Sequence, residues 1–179
     1  PRVFVAAEGR YQASLTVTTP SGKPERIDLS GILDRVETDE SGRLVAIDFK
    51  NVKSPPTKAA IVQNGQLGVY QLLLRDHQVV ELDDEGEDPP FGAALVQLRV
   101  EASQPKVQRQ EAINFDNSPT WIEVKLGEAA EIIRSETFVP QVNPSCRYCS
   151  YTLVCPTQSS DIFSRVLIDE SGIDDDAIT

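Results

Sequence analysis

The chain has 179 residues, with 17 Lys and Arg against 28 Asp and Glu, for a formal net charge of −11. That length suits one domain with a single good core, and the charge argues against a protein that grips nucleic acid by bulk electrostatics. No apolar run reaches membrane-spanning length and no signal peptide opens the chain, so the expectation is a soluble, cytoplasmic protein without a membrane partner. The acid is local, however. Much of it lies in Glu81–Asp88 and in the tail Asp169–Asp176, both of which read as solvated loop or disordered end. The remainder is close to neutral, with Arg35, Lys50, Lys53 and Lys58 near one another in sequence.

Arg2-Val3-Phe4-Val5 is already strand-like, and the chain contains no methionine, which suggests a piece of something longer. Tyr11–Thr19 alternates with period two and is rich in β-branched residues, the pattern of a strand. Pro20-Ser21-Gly22-Lys23-Pro24 is turn chemistry. Arg26–Glu37 predicts a second strand and Leu44–Lys50 a third. The apolar run Leu44-Val45-Ala46-Ile47 marks that third strand as central and buried on both faces. One helix is predicted over Lys58–Leu74, with Gly65 and Gly68 as candidate points of close packing on the sheet. Ala93–Val100 reads as a strand and Gln108–Phe115 as a weaker one. Ser118 as N-cap and Pro119 at the first helical position predict a helix running to about Arg134. Phe138–Pro156 is irregular and holds every cysteine, and no internal repeat is visible. The order implies an α/β (α+β) fold, a central mixed sheet flanked by helices.

Chemistry concentrates in the hairpin Gly31-Ile32-Leu33-Asp34 and Ile47-Asp48-Phe49-Lys50, joined through Asp39-Glu40-Ser41-Gly42. Each strand is expected to end on an acid, the second followed two residues later by a lysine. Two carboxylates and an ammonium on a rigid sheet are what a magnesium-dependent phosphodiesterase needs: oxygens for a hard cation, and a cation for the charge building on phosphate. Asp-x-Lys alone is a weak signal, and a lone strand Asp most often closes a hairpin or a salt bridge. Here the trio would be costly beside Ile47 unless paired or metal-bound. Gln66 and Tyr70, four apart, share a helix face. Read singly they are surface and core. After the hairpin they read as an amide and a phenol facing the carboxylates.

Together these motifs resemble the PD-(D/E)XK nuclease superfamily, in its RecB-like branch. Cys146-x-x-Cys149-x5-Cys155, after Phe138-Val139-Pro140, is similar to the C-terminal cysteine triplet of iron–sulfur nuclease domains in AddB-type helicase–nucleases and CRISPR-associated exonucleases. The resemblance implies a restriction-endonuclease-like core over residues 1–156, including the cysteine-rich segment 138–156, followed by an acidic tail, 157–179. It implies metal-dependent hydrolysis of DNA phosphodiesters with Mg²⁺ or Mn²⁺. Asp34, Asp48 and the Phe49 backbone carbonyl would hold the ion, Lys50 would activate water and offset phosphate charge, and Gln66 and Tyr70 would line the DNA path. Cys146, Cys149 and Cys155 would be three ligands of a 4Fe-4S cluster in a full-length bacterial parent, the fourth lying outside this chain. The implied partners are DNA, helicase domains of the same parent and a second helicase–nuclease subunit, in double-strand-break end processing.

The chain departs from the RecB-like pattern in two ways. No histidine precedes the hairpin; His77, the only one, follows the Gln-Tyr helix and reads as a surface residue. Only three cysteines are present. Glu8, ahead of the first strand, admits two readings, an approach to the site or a structural role such as pairing with Arg35, and the second is preferred. The cysteines also admit plain readings, as packing residues or as zinc ligands completed by another residue type. Rival functions are a stand-alone CRISPR-associated-type exonuclease and a non-catalytic DNA- or partner-binding module on the same fold.

Overall fold

The computed structural model describes residues 2–77, 91–99 and 104–157. The chain divides into two compact units, Pro1–Arg134 and Ser135–Thr179. The first is an α/β fold built on a five-stranded sheet of order β1-β2-β3-β4-β5. Its strands are β1 (Val3–Thr18), β2 (Pro24–Thr38), β3 (Leu44–Lys50), β4 (Phe91–Gln97) and β5 (Lys106–Glu111). The first three form an antiparallel meander, β4 runs parallel to β3, and β5 is antiparallel to β4. A parallel neighbour requires a crossover, which carries α1 (Lys58–Val62) and α2 (Gly65–Arg75); α3 (Trp121–Ser135) follows β5. Among the described residues no helix is long and apolar enough to cross a membrane.

Both hairpin turns use the same geometry. A glycine with φ of 79°, Gly22 in one and Gly42 in the other, takes the left-handed position that a side chain disfavours. Each turn is closed from its first residue: Thr19 Oγ1 accepts from Lys23 N at 3.1 Å, and Asp39 Oδ1 accepts from Arg43 N at 3.0 Å and Ser41 N at 2.9 Å. Burial pushes the Asp39 carboxyl up, but the Arg43 side-chain and backbone hydrogen bonds, the Arg43 charge and the Ser41 N–H outweigh it. The net result holds Asp39 below its ordinary value.

β3 is the central strand, as its apolar run predicts, with Val45, Ala46, Ile47 and Asp48 all buried. Ala46 joins Ala13, Leu33, Val36, Ala93 and Leu95 under Ile61 of α1 and Leu67, Leu73 and Leu74 of α2. A second cluster places Ile122 and Ala130 of α3 against Leu15 and Val17 of β1. Val45, Ile47 and Ala94 form a third, smaller one.

Several expected boundaries move. The single helix over Lys58–Leu74 is two, broken at Gln63-Asn64. Asn64 Oδ1 accepts from Leu67 N at 3.1 Å and so starts α2 afresh. Buried Gln110 of β5 donates from Nε2 to the carbonyls of Ile61 (2.8 Å), Val62 (3.3 Å) and Asn64 (3.2 Å) around the break. Ser118 and Pro119 do not open α3. Thr120 caps it, exchanging bonds with Glu123: Thr120 N donates to Glu123 Oε2 at 2.7 Å and Glu123 N to Thr120 Oγ1 at 3.4 Å. β4 stops at Gln97 and β5 at Glu111, short of the predicted Val100 and Phe115. Gly68 does mark close packing, but against α3: a Cβ there would lie 2.5 Å from Trp121 Cη2, whereas one at Gly65 would meet open space.

In the second unit, the described residues 135–157 are irregular apart from one 3₁₀ turn, Pro144–Tyr148. Asn143 caps that turn, accepting from Ser145 N at 2.9 Å and giving its own N–H to Cys146 Sγ at 3.3 Å. The acidic run Glu81–Asp88, and the tail beyond residue 157 with Ile162-Phe163 and Val166–Ile168, lie outside the described residues.

Candidate active site

The hairpin acids sit where β2 and β3 part. Arg35 pairs with Ile47 at the last step of the antiparallel register, so the next step sets Asp34 across from Asp48. Asp34 does not end its strand as expected: β2 runs on to Thr38, and the acid lies in mid-strand at the point where pairing to β3 stops. Its Oδ2 instead accepts the backbone N–H of Phe49 at 2.9 Å, tying it to the residue between Asp48 and Lys50.

Asp48 is 3 % exposed, and a buried carboxylate must be paired to stay charged. Lys50, two residues on and therefore on the same face, brings its Nζ to 2.8 Å from Asp48 Oδ2. The other partners come from α2. Gln66, in its first turn, donates from Nε2 to Asp48 Oδ1 at 2.9 Å and to the Tyr70 hydroxyl at 2.8 Å, and accepts from Lys50 Nζ at 2.9 Å. A glutamate could make none of the donations, so the amide is what this position requires. Tyr70, one turn on, also directs its hydroxyl at Asp48 Oδ1, at 3.5 Å. Burial raises the Tyr70 phenol above its ordinary value, and the charges of Asp48 and Asp34 push the same way against the Gln66 bond and the Lys50 ammonium. It therefore stays protonated, and it feels both carboxylates.

Gly31, at the head of the Gly31–Asp34 motif, explains how α2 comes so close. A Cβ there would lie 2.9 Å from Leu73 Cδ1 and 4.0 Å from Tyr70 Cε1. The bare backbone lets the helix settle onto β2, bringing Gln66 and Tyr70 over the end of β3.

The donor set suits a hard divalent cation. Asp48 Oδ2 is buried and receives no well-directed hydrogen bond, although the Lys50 ammonium is close. Such an oxygen retains a lone pair for a metal. Asp34 lies across the strand pair from Asp48 and is bonded to the Phe49 N–H. Among the described residues no group of three or more His, Cys, Asp or Glu gathers to hold an ion. The set is thus open, and Mg²⁺ typically takes only one or two carboxylates and leaves the rest of its shell to water and phosphate.

Other candidate residues lie elsewhere. His77 is exposed and stands edge-on to the Tyr11 ring at 5.3 Å. Glu8 does not precede β1 but lies within it, with φ of 51°, and Arg35 pairs with Glu37 at 2.6 Å instead. Cys146, Cys149 and Cys155 lie in the second unit and are not joined in disulfides, with Cys146 engaged by the Asn143 N–H and Cys155 beside Thr157 Oγ1 at 3.1 Å. Sequence reasoning missed the buried glutamines Gln71, Gln97, Gln108 and Gln110, which bond the strands behind the site to its loops. The alternate spacing of Gln108 and Gln110 along β5 was the available signal for those two.

No curated protein matches the chain. A solved structure described as "Crystal structure of SSO0001" aligns with 16 % identity and a TM-score of 0.47 over 86 % of this chain, which spans 61 % of that one. The family model of the PD-(D/E)XK nuclease superfamily matches residues 3–156, and the chain belongs to that superfamily.

Proposed function

We propose that residues 1–156 form a metal-dependent deoxyribonuclease, with 157–179 as a tail, and that Asp34, Asp48 and Lys50 are its catalytic residues. The observation that carries this reading is the closed network of Asp48, Lys50, Gln66 and Tyr70 around one buried, under-bonded carboxylate oxygen. Asp34, Asp48 and the Phe49 carbonyl would hold Mg²⁺ or Mn²⁺, which when bound supplies Lewis acidity at the scissile phosphate. Lys50 then holds the attacking water and offsets phosphate charge. Gln66 fixes the Lys50 ammonium and the Asp48 carboxylate at once, so the base-side geometry is set before substrate arrives. Tyr70, kept protonated, offers a donor to the substrate backbone.

The network favours catalysis over a merely binding module, because a fold that had lost cleavage would have no need to bury these ions together. The substrate in this reading is DNA cut exonucleolytically in the cytoplasm, delivered by helicase domains of a longer chain, which would offset the acidic charge of the domain. Incubation of the 179-residue chain, or of its longer parent, with Mn²⁺ and labelled single-stranded DNA should give cleavage that Asp48→Ala abolishes. Persistent cleavage in that variant would refute the assignment.

A 4Fe-4S cluster belongs to this proposal only for a longer protein. Three cysteines do not close such a site, these three are not gathered among the described residues, and no step here depends on them. The parent purified without oxygen should carry iron and acid-labile sulfide; stoichiometric zinc without iron would end that part.

A further inference from the structure

Among the described residues two buried side-chain oxygens receive no well-directed hydrogen bond: Asp48 Oδ2 and Gln97 Oε1. The first has the Lys50 ammonium 2.8 Å away, and the second belongs to the residue in register with that lysine. Gln97 ends β4, is fully buried, and is the in-register partner of Lys50 in the parallel β3–β4 pair. Leu98 N closes that step on Lys50 O at 2.9 Å. Register partners on strands about 4.8 Å apart project from the same face, within the sweep of a lysine stem.

The direction of the Gln97 amide is determined by its neighbours. The Pro56 carbonyl can only accept, so Gln108 turns Nε2 to it at 2.7 Å. Gln108 Oε1 must then accept, and Gln97 Nε2 donates to it at 2.9 Å. The relay ends in Gln97 Oε1, an acceptor with nothing given to it. Such a group is costly to bury empty.

We propose that Gln97 is a positioning residue for Lys50, whose ammonium it receives when a divalent cation takes Asp48 Oδ2. This rests on the metal-site reading of Asp48. In the structure the ammonium lies 2.8 Å from that oxygen, and two cations cannot share it without strong repulsion. Lys50 keeps its bond to Gln66 Oε1 but loses its carboxylate. The orphan amide oxygen across the strand pair is the replacement acceptor, and it holds the lysine near the phosphate rather than in solvent.

The test is Mn²⁺ binding by the full chain, followed from the EPR signal of free Mn²⁺ with no DNA present. Wild type should bind and Asp48→Asn should not. Gln97→Leu, or Gln97→Met where the former does not fold, should bind about tenfold more weakly, the size of one hydrogen bond to a charged group. In a Lys50→Met background, Gln97→Leu should change nothing, since no ammonium needs a new partner. Equal Mn²⁺ affinity of wild type and Gln97→Leu overturns the proposal while leaving the metal site standing. So does the same loss with Lys50→Met, which would mark a structural role or a buried water. Wild-type-like binding by Asp48→Asn, or no binding by wild type, removes the metal site and the inference with it.

Discussion

Gln110→Met is the sharpest probe of how the sheet holds α2 in place. Gln110 is 2 % exposed; its Nε2 serves three carbonyls around the α1–α2 break and its Oε1 accepts from Gln71 Nε2 at 2.8 Å. Ile61 O and Asn64 O retain donors in Asn64 N and Gly68 N, and Gln71 Nε2 retains Glu111 O at 3.1 Å. The variant therefore strands few groups outright, and Val62 O is the main one. Two to three net hydrogen bonds at about 1 kcal/mol each give an expected loss of about 2–3 kcal/mol, with methionine keeping most of the volume. Urea unfolding followed by the fluorescence of Trp121, the single tryptophan, measures it. Cleavage should also fall, because the break sets where Gln66 stands. A loss below about 0.5 kcal/mol would refute the reasoning and leave the break to Asn64 alone.

Two further expectations concern stability. Gly68→Ala should destabilise by about 1–2 kcal/mol in the same assay: its Cβ meets Trp121 at 2.5 Å and Ile122 Cδ1 at 3.1 Å, and overpacking outweighs the helix-propensity gain of about 1 kcal/mol. Gly65→Ala, facing open space, should be neutral or slightly stabilising. Asp39→Ala should cost about 1–2 kcal/mol at neutral pH, from the turn bonds and an Arg43 pair 2.6 Å apart. Because folding lowers the Asp39 value below the ordinary 3.8, the charge-dependent share is present above that value and is lost as pH falls through the folded one. Unfolding curves for the two proteins should draw together in acid, and a constant gap would contradict the ion pair.

Local patterns carried much of the architecture. The period-two run of Tyr11–Thr19, the glycine turns and the doubly buried Leu44–Lys50 strand are nearest-neighbour signals, and β3 matches its predicted limits. The α1–α2 break was not legible, because Lys58–Leu74 is periodic throughout and the glutamine that receives the broken ends lies far along the chain on β5. The Ser118-Pro119 start misled for a similar reason: Thr120 and Glu123 make a stronger reciprocal cap immediately after it.

Residue chemistry by itself determined which groups are candidates here. Two acids, a lysine, an amide and a phenol, at spacings that repeat with strand and helix, carry a resemblance whose implication is hard-cation phosphodiester chemistry, the reading proposed above. Only the tertiary structure decided that α2 lies close enough, over the bare backbone of Gly31, for Gln66 to bridge Asp48 and Lys50. It also decided that a glutamine on another strand stands in register with that lysine and, among the described residues, keeps an unbonded buried acceptor. The physical reason is range: side-chain chemistry and periodicity are written locally, whereas hydrogen-bond satisfaction in a core depends on which distant segments the packing brings together.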